Sequence, residues 1–209
     1  MIVKSFEINK IDINKNNILL LYGDNDGFKD EVIKKICNQK NLKGTLYYEK
    51  EILNNLDNFF NQISNKSFFE DEKIIIIKDT TDKFKDIIDE IFNKEIKDTV
   101  LILNSHLLDK KSKLRNFFEK TKELICIPFY PDDHQNLNVI ATQFFKKNNI
   151  RISQQTINLI IERANQSRQH LKNELEKINN YTLDKKQITD TDVIKLTNLG
   201  KNYEISELV

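Results

Sequence analysis

Asn17-Ile-Leu-Leu-Leu-Tyr-Gly-Asp-Asn-Asp-Gly-Phe-Lys-Asp30 decides the fold. Its apolar run, Ile18 to Tyr22, is rich in strand formers and enters a glycine-containing turn, after which Phe28 to Cys37 carries a helical apolar stripe. A strand apolar on both faces that passes at once into a helix is the opening unit of a parallel sheet covered by helices. Four further runs repeat it: Gly44-Thr-Leu-Tyr-Tyr48, Lys73-Ile-Ile-Ile-Ile77, Thr99-Val-Leu-Ile-Leu103 and Leu124-Ile-Cys-Ile-Pro128. All five are expected to be buried on both faces. Between them, Ile52, Leu53, Leu56, Phe59, Phe60 and Ile63 form one stripe that predicts a single helix, and Phe84 to Phe92 and Leu114 to Leu124 predict two more. Strand and helix alternating in this way imply right-handed crossovers and a doubly wound α/β domain on a five-stranded parallel sheet.

Pro128 and Pro131 bracket the proline-bearing stretch, and Asp132-Asp133-His134 follows, so the sheet domain is expected to span residues 1–133. Beyond it the pattern is helical only. Val139 to Lys147 forms one helix, Ser153 caps a second carrying Ile157, Leu159, Ile160 and Ile161, Ser167 caps a third carrying Leu171, Leu175 and Ile178, and Thr189 to Leu196 forms a fourth. Residues 134–198 therefore read as a small all-helical domain. Gly200 breaks the pattern, and Tyr203-Glu-Ile-Ser-Glu-Leu-Val209 starts another helix, so residues 199–209 are expected to open a further domain of a longer protein.

The 209 residues exceed what one small core needs, which agrees with two domains. Thirty-three Lys+Arg against 32 Asp+Glu leave a formal charge of +1, too balanced for a protein that wraps nucleic acid by bulk charge. The apolar runs fall far short of the roughly 20 residues of a bilayer span. Met1 to Glu7 alternates like a strand and lacks the core of a signal peptide, so a cytoplasmic protein is expected. Cys37 and Cys126 lie in apolar segments and read as buried thiols rather than a disulfide framework. His106, His134 and His170 show no ligand spacing, so no metal is expected.

The loop Gly23 to Asp30 stands where a phosphate-binding loop would. A working loop reads G-x-x-x-x-G-K-[ST]. Here Gly23 and Lys29 keep the separation and Gly27 lies one position early, while Phe28 replaces the second glycine and Asp30 the hydroxyl. A ring there obstructs close approach of phosphate to backbone amides, and Asp30, Asp24 and Asp26 repel it. A plain strand-to-helix turn with acidic capping is the simpler reading. After Ile74 to Ile77, Lys78 takes the place of a magnesium-binding carboxylate, with Asp79 only behind it. Asn104 ends the fourth strand as a polar sensor or as ordinary punctuation. The two losses argue against ATP hydrolysis, and no nucleophile with a base, no acid pair and no dinucleotide fingerprint occurs. No cofactor and no catalytic site are expected.

Ser67-Phe68-Phe69 follows the Ile52 to Ile63 helix. Neighbouring helical residues point about 100° apart, so one of the two rings is exposed if the helix continues. Position alone favours core, and an interface anchor is the alternative. Lys110, Lys111, Lys113 and Arg115 form a basic cluster, and Lys146, Lys147 and Arg151 a second. A solvated face is the default for both, and for the first a weak DNA phosphate contact is the alternative.

Asn17 to Gly27, Ser67-Phe-Phe-Glu-Asp-Glu-Lys-Ile-Ile-Ile-Ile77, Lys113-Leu-Arg-Asn-Phe-Phe-Glu-Lys120 and Arg168-Gln-His-Leu-Lys-Asn-Glu-Leu-Glu-Lys177 together resemble the delta subunits of the bacterial DNA polymerase III clamp loader. The resemblance implies an AAA+-like domain, a helical lid and a C-terminal collar, the first two covered here. It implies an arm that binds and opens the sliding clamp, the beta subunit, without hydrolysing ATP. It also implies assembly with the other loader subunits through the collar, and at most weak or indirect contact with DNA. The activity served is that of a DNA-directed DNA polymerase, a nucleotidyltransferase, and belongs to the complex. The resemblance turns Ser67, Phe68 and Phe69 into the clamp-binding wedge, with phenylalanine where the family often has leucine. An AAA+ ATPase with an aberrant loop and a DNA-binding adaptor are the rival readings.

Overall fold

The computed structural model describes residues 1–64, 72–94, 96, 98–165, 167–183 and 189–196. Five strands, β1 (Ile18–Tyr22), β2 (Gly44–Tyr48), β3 (Lys73–Lys78), β4 (Thr99–Ser105) and β5 (Ile125–Pro128), form one sheet in the order β2-β3-β4-β1-β5. Every pairing is parallel. β1 lies between β4 and β5, with Leu20 opposite Leu103 on one side and Cys126 on the other. The strand period of two divides its side chains between two cores. Ile18, Leu20 and Tyr22 face Ile52, Phe59, Phe84, Ile88 and Phe118, while Leu19 and Leu21 face Val32, Ile33, Ile36 and Phe129.

The helices of this layer are α1 (Asp26–Lys40), α2 (Glu49–Asn54), α3 (Leu56–Ser64), α4 (Lys85–Asn93) and α5 (Lys113–Lys120). The helix predicted across Ile52 to Ile63 is two helices. Asn55 breaks it with φ −150°, and its side chain accepts from the Asn58 amide at the start of α3. An Asn side chain competes with the helical ladder in this way, which an apolar stripe does not register. The expectation that all five strands are buried on both faces fails at β2, where Thr45, Leu46 and Tyr48 are exposed because the strand is an edge with one neighbour. Met1 to Glu7 is not a regular strand either. Ile2 bridges Cys126 beside β5, and a 3-10 turn over Ser5–Lys10 follows. Cys126 is fully buried, but Cys37 is only half-buried. Burial pushes the Cys126 thiol up to about 12.

The chain divides into two compact units, Met1–Tyr130 and Pro131–Val209. The second contains α6 (His134–Lys147), α7 (Gln154–Arg163), α8 (Arg168–Tyr181) and α9 (Asp190–Leu196). Asp133, Ser153 and Ser167 cap the first three, accepting from the amides of Asn136, Thr156 and His170. The apolar stripes meet in a core that includes Leu137, Phe145, Ile160, Leu171, Ile178 and Val193. At one end Arg168 grips Asp132 through two 2.7 Å bonds, both side chains being almost fully buried. The residues expected to open a further domain, 199–209, lie outside the described residues.

Candidate functional site

At the carboxyl end of β1 the backbone turns through Gly23, whose φ of +123° suits glycine alone among the common residues. A Cβ there would lie 2.1 Å from the Phe129 carbonyl oxygen, so the loop runs against the end of β5. Asn25, not an acidic residue, caps α1. Its Oδ1 accepts from the Phe28 amide and its Nδ2 donates to the Tyr130 carbonyl. Asp26 stands in the first turn, where a carboxylate complements the helix dipole. Phe28 does not project into the loop. Its half-buried ring packs edge-on against Phe129 at 5.2 Å. Asp30 is half-buried on the same helix, and Gly27 is buried in its first turn.

Lys29 decides the chemistry of this loop. It is fully buried, and its Nζ donates to the carbonyls of Gly23 and Ser105, each at 2.8 Å. The third contact is Asp26 Oδ1 at 2.9 Å. An ammonium has three hydrogens and no more, so none remains for a phosphate. Several amides that could cradle an anion are spent too. Gly23 donates to the His106 carbonyl, and Phe28 and Lys29 donate to Asn25. The loop is filled by its own lysine.

The neighbouring strand ends complete the picture. Lys78 ends β3 opposite Tyr48 and Asn104, and Asp79 takes a left-handed φ of 59° with its carboxylate 3.3 Å from His106 Nε2. Among the described residues no group of three or more His, Cys, Asp or Glu side chains converges to hold a metal. Asn104 is buried, and β4 continues one residue further, which brings the Ser105 hydroxyl to Thr80 Oγ1 and its carbonyl to Lys29. Sequence reasoning named Asn104 and missed Ser105. The signal was β4's polar end, Asn104-Ser105, two residues beyond the apolar run.

The loop after β3 ties three elements together. Thr81 donates from its amide and its hydroxyl to Glu49 on α2. Asp82 accepts from the Ser112 hydroxyl and the Leu114 amide at the start of α5. Burial works against the Asp82 carboxylate, but the Ser112 hydroxyl and the amides of Leu114 and Lys113 outweigh it and hold its pKa below the ordinary value. The amino end of α5 thus already holds an anion of the protein's own.

That occupancy bears on the basic cluster. Lys110, Lys111 and Lys113 are exposed beside α5. Arg115 is turned inward, with Nε 2.7 Å from Glu119, one terminal nitrogen donating to the Leu108 carbonyl, and the guanidinium 4.9 Å over the Tyr22 ring. The structure therefore separates Arg115 from the three lysines. Ser67, Phe68 and Phe69 lie outside the described residues, between the end of α3 at Ser64 and the start of β3 at Lys73.

No protein-family model matches the chain, and no curated protein sequence does. Solved structures do match. The Bacillus subtilis DNA clamp loader delta protein (YqeN) aligns with a TM-score of 0.61 at 16% identity, over 93% of this chain and 62% of that one. The shared fold is an α/β fold of the P-loop type. The Thermotoga maritima RuvB Holliday junction branch migration motor aligns with a TM-score of 0.56 at 11% identity, over 86% of this chain and 60% of its own. Rhizobiales Trip13 gives 0.53 at 12% identity, over 91% and 76%. The delta resemblance read from the sequence thus reappears in the fold, and the chain spans less than two thirds of the delta protein it matches.

Proposed function

We propose that this chain is the clamp-binding arm of a DNA polymerase III clamp loader, a delta-type subunit that binds and opens the sliding clamp without hydrolysing ATP. The spent ammonium of Lys29 carries the reading. An AAA+ sheet whose phosphate loop is filled from inside suits a subunit that works by binding, and the fold it shares with a clamp loader delta protein supports the same role.

In this reading Ser67, Phe68 and Phe69 form the wedge that enters an apolar pocket of the clamp. Two phenylalanine rings burying ~150 Å² each at ~25 cal/mol per Å² yield about 7 kcal/mol before association costs. Such an anchor biases a ring interface only by binding the open form more tightly than the closed one. The other loader subunits assemble through a collar C-terminal to this chain. Lys110, Lys111 and Lys113 give DNA at most a weak electrostatic contact, without Arg115. The protein works in the cytoplasm, and the polymerase activity belongs to the complex.

Calorimetric titration of the cognate sliding clamp, without nucleotide, tests the reading. Binding that Phe68→Ala/Phe69→Ala weakens by about thirtyfold or more, which is about 2 kcal/mol, is the expected result. Absence of binding by the wild-type chain overturns it.

A further inference from the structure

The two edges of the sheet are finished differently. On the β5 side the chain covers its own edge, where Ile2 bridges Cys126, the Val3 amide donates to the Cys126 carbonyl and the Cys126 amide donates to the Met1 carbonyl, each at 2.9 Å. On the β2 side the sheet ends without a further strand among the described residues. Proteins usually guard such an edge with lysine, proline or a bulge. β2 reads Gly-Thr-Leu-Tyr-Tyr, and its register with β3 runs without a bulge from Gly44 opposite Ile74 to Tyr48 opposite Lys78.

The registers align Ile125, Leu19, Ile102, Ile76 and Leu46 in one apolar row across all five strands. The first four are buried, whereas Leu46 is 46% exposed. Tyr48, on the same face by the strand period, is 42% exposed. On the opposite face Tyr47 is held in place, its ring 5.7 Å from that of Phe59 and its hydroxyl donating to Gln62. The edge is therefore an anchored strand whose apolar row stops one residue short of cover.

The free charge beside it has one sign. Lys43 precedes the strand and Lys50 follows it, both exposed, and among the described residues no acid pairs with either. The neighbouring acids are engaged, Glu49 accepting from Thr81 and Glu51 from the Tyr48 amide.

We propose that β2 is a docking edge for an extended, acidic segment of a partner protein, which adds a further strand to the sheet. Main-chain hydrogen bonds to β2 hold the segment, a β-branched residue continues the apolar row past Leu46 and Tyr48, and carboxylates on either side of it meet Lys43 and Lys50. The edge uses none of residues 67–69, so it stands or falls apart from the clamp reading.

Acetyl-Asp-Glu-Val-Thr-Val-Thr-Val-Glu-Asp-amide is the probe, titrated into the whole chain at low salt and followed by amide-resolved NMR. Saturable shifts over residues 43–50 are expected. The same peptide with lysine at its acidic positions should bind about tenfold more weakly, as two exposed charge pairs are lost, and Lys43→Glu/Lys50→Glu should reverse that preference. Leu46→Lys, at an exposed position, should weaken both peptides while the melting temperature holds. A peptide N-methylated through its Val-Thr core should not bind, because it cannot donate to the edge. Shifts that do not saturate or that centre elsewhere, equal binding of the acidic and basic peptides, or undiminished binding of the N-methylated one overturn the proposal. A chain that forms dimers which Leu46→Lys disperses overturns it too, and assigns the edge to a second copy.

Discussion

The ammonium of Lys29 sits 2.8 Å from the main-chain oxygen of Ser105, 76 residues further along the chain. That bond joins the phosphate-loop position to the end of β4, and with Gly23 and Asp26 it satisfies a charge that would otherwise be prohibitively buried. In a working phosphate-binding loop the lysine at this position reaches for a phosphate. Here it is a structural cross-link.

Lys29→Met is therefore expected to act on stability and not on a ligand. It strands two buried carbonyls at about 1–2 kcal/mol each, so chemical unfolding should show a loss of about 2–4 kcal/mol. The wild-type melting temperature should not move with added MgATP. Saturable ATP binding by the wild type that Lys29→Met abolishes would restore the ATPase reading.

Asp82 gives the protein an acid-sensitive joint. Its pKa is lowered in the folded state, so its contribution is fully present above the ordinary carboxylate pKa near 4 and is lost as pH falls through the lower, folded value. Asp82→Asn should cost about 1 kcal/mol or less at neutral pH, since the residue is exposed and supports the Ser112 cap of α5 rather than forming it. The difference from wild type should narrow toward pH 3 in urea titrations, and a constant difference across pH would contradict this.

Arg168 and Asp132 form a bidentate pair inside the helical unit. Arg168→Ala removes both of these bonds from an almost fully buried carboxylate, at about 3–5 kcal/mol. Arg168→Lys should recover little, because a point charge cannot span both oxygens. Thermal unfolding followed by circular dichroism separates the variants, and a lysine variant as stable as wild type would refute the bidentate role.

Thr99→Val should stabilise the protein, by about 1 kcal/mol, since it removes an unpaired buried hydroxyl at nearly constant volume. A destabilised variant would mean that the hydroxyl has a partner in solution, such as a trapped water.

Much of the fold was legible. Ile18 to Tyr22 and Gly44 to Tyr48 are strands at the expected residues, and Ser153 and Ser167 cap where their spacing said they would. These features are local, because an apolar run and a hydroxyl before a helix act within a few residues. Asn55 escaped notice because a stripe reports which face is apolar and not whether the ladder is continuous. β2 was misjudged because strand composition does not reveal which strand lies at an edge.

The candidate site divides along the same line. That Phe28 and Asp30 spoil a phosphate loop was readable from the residues themselves. That Phe28 packs against Phe129, and that Arg115 turns inward to Glu119 and Tyr22, required partners brought together by the sheet.

The sequence alone determined a parallel α/β sheet followed by helices, because hydrophobic period and capping chemistry are written in neighbouring residues. Only the tertiary structure decided where Lys29 spends its charge. Gly23 and Asp26 are near it in sequence, but Ser105 arrives because β4 lies beside β1 in the sheet, and strand order is a property of the packed fold that no window of residues contains.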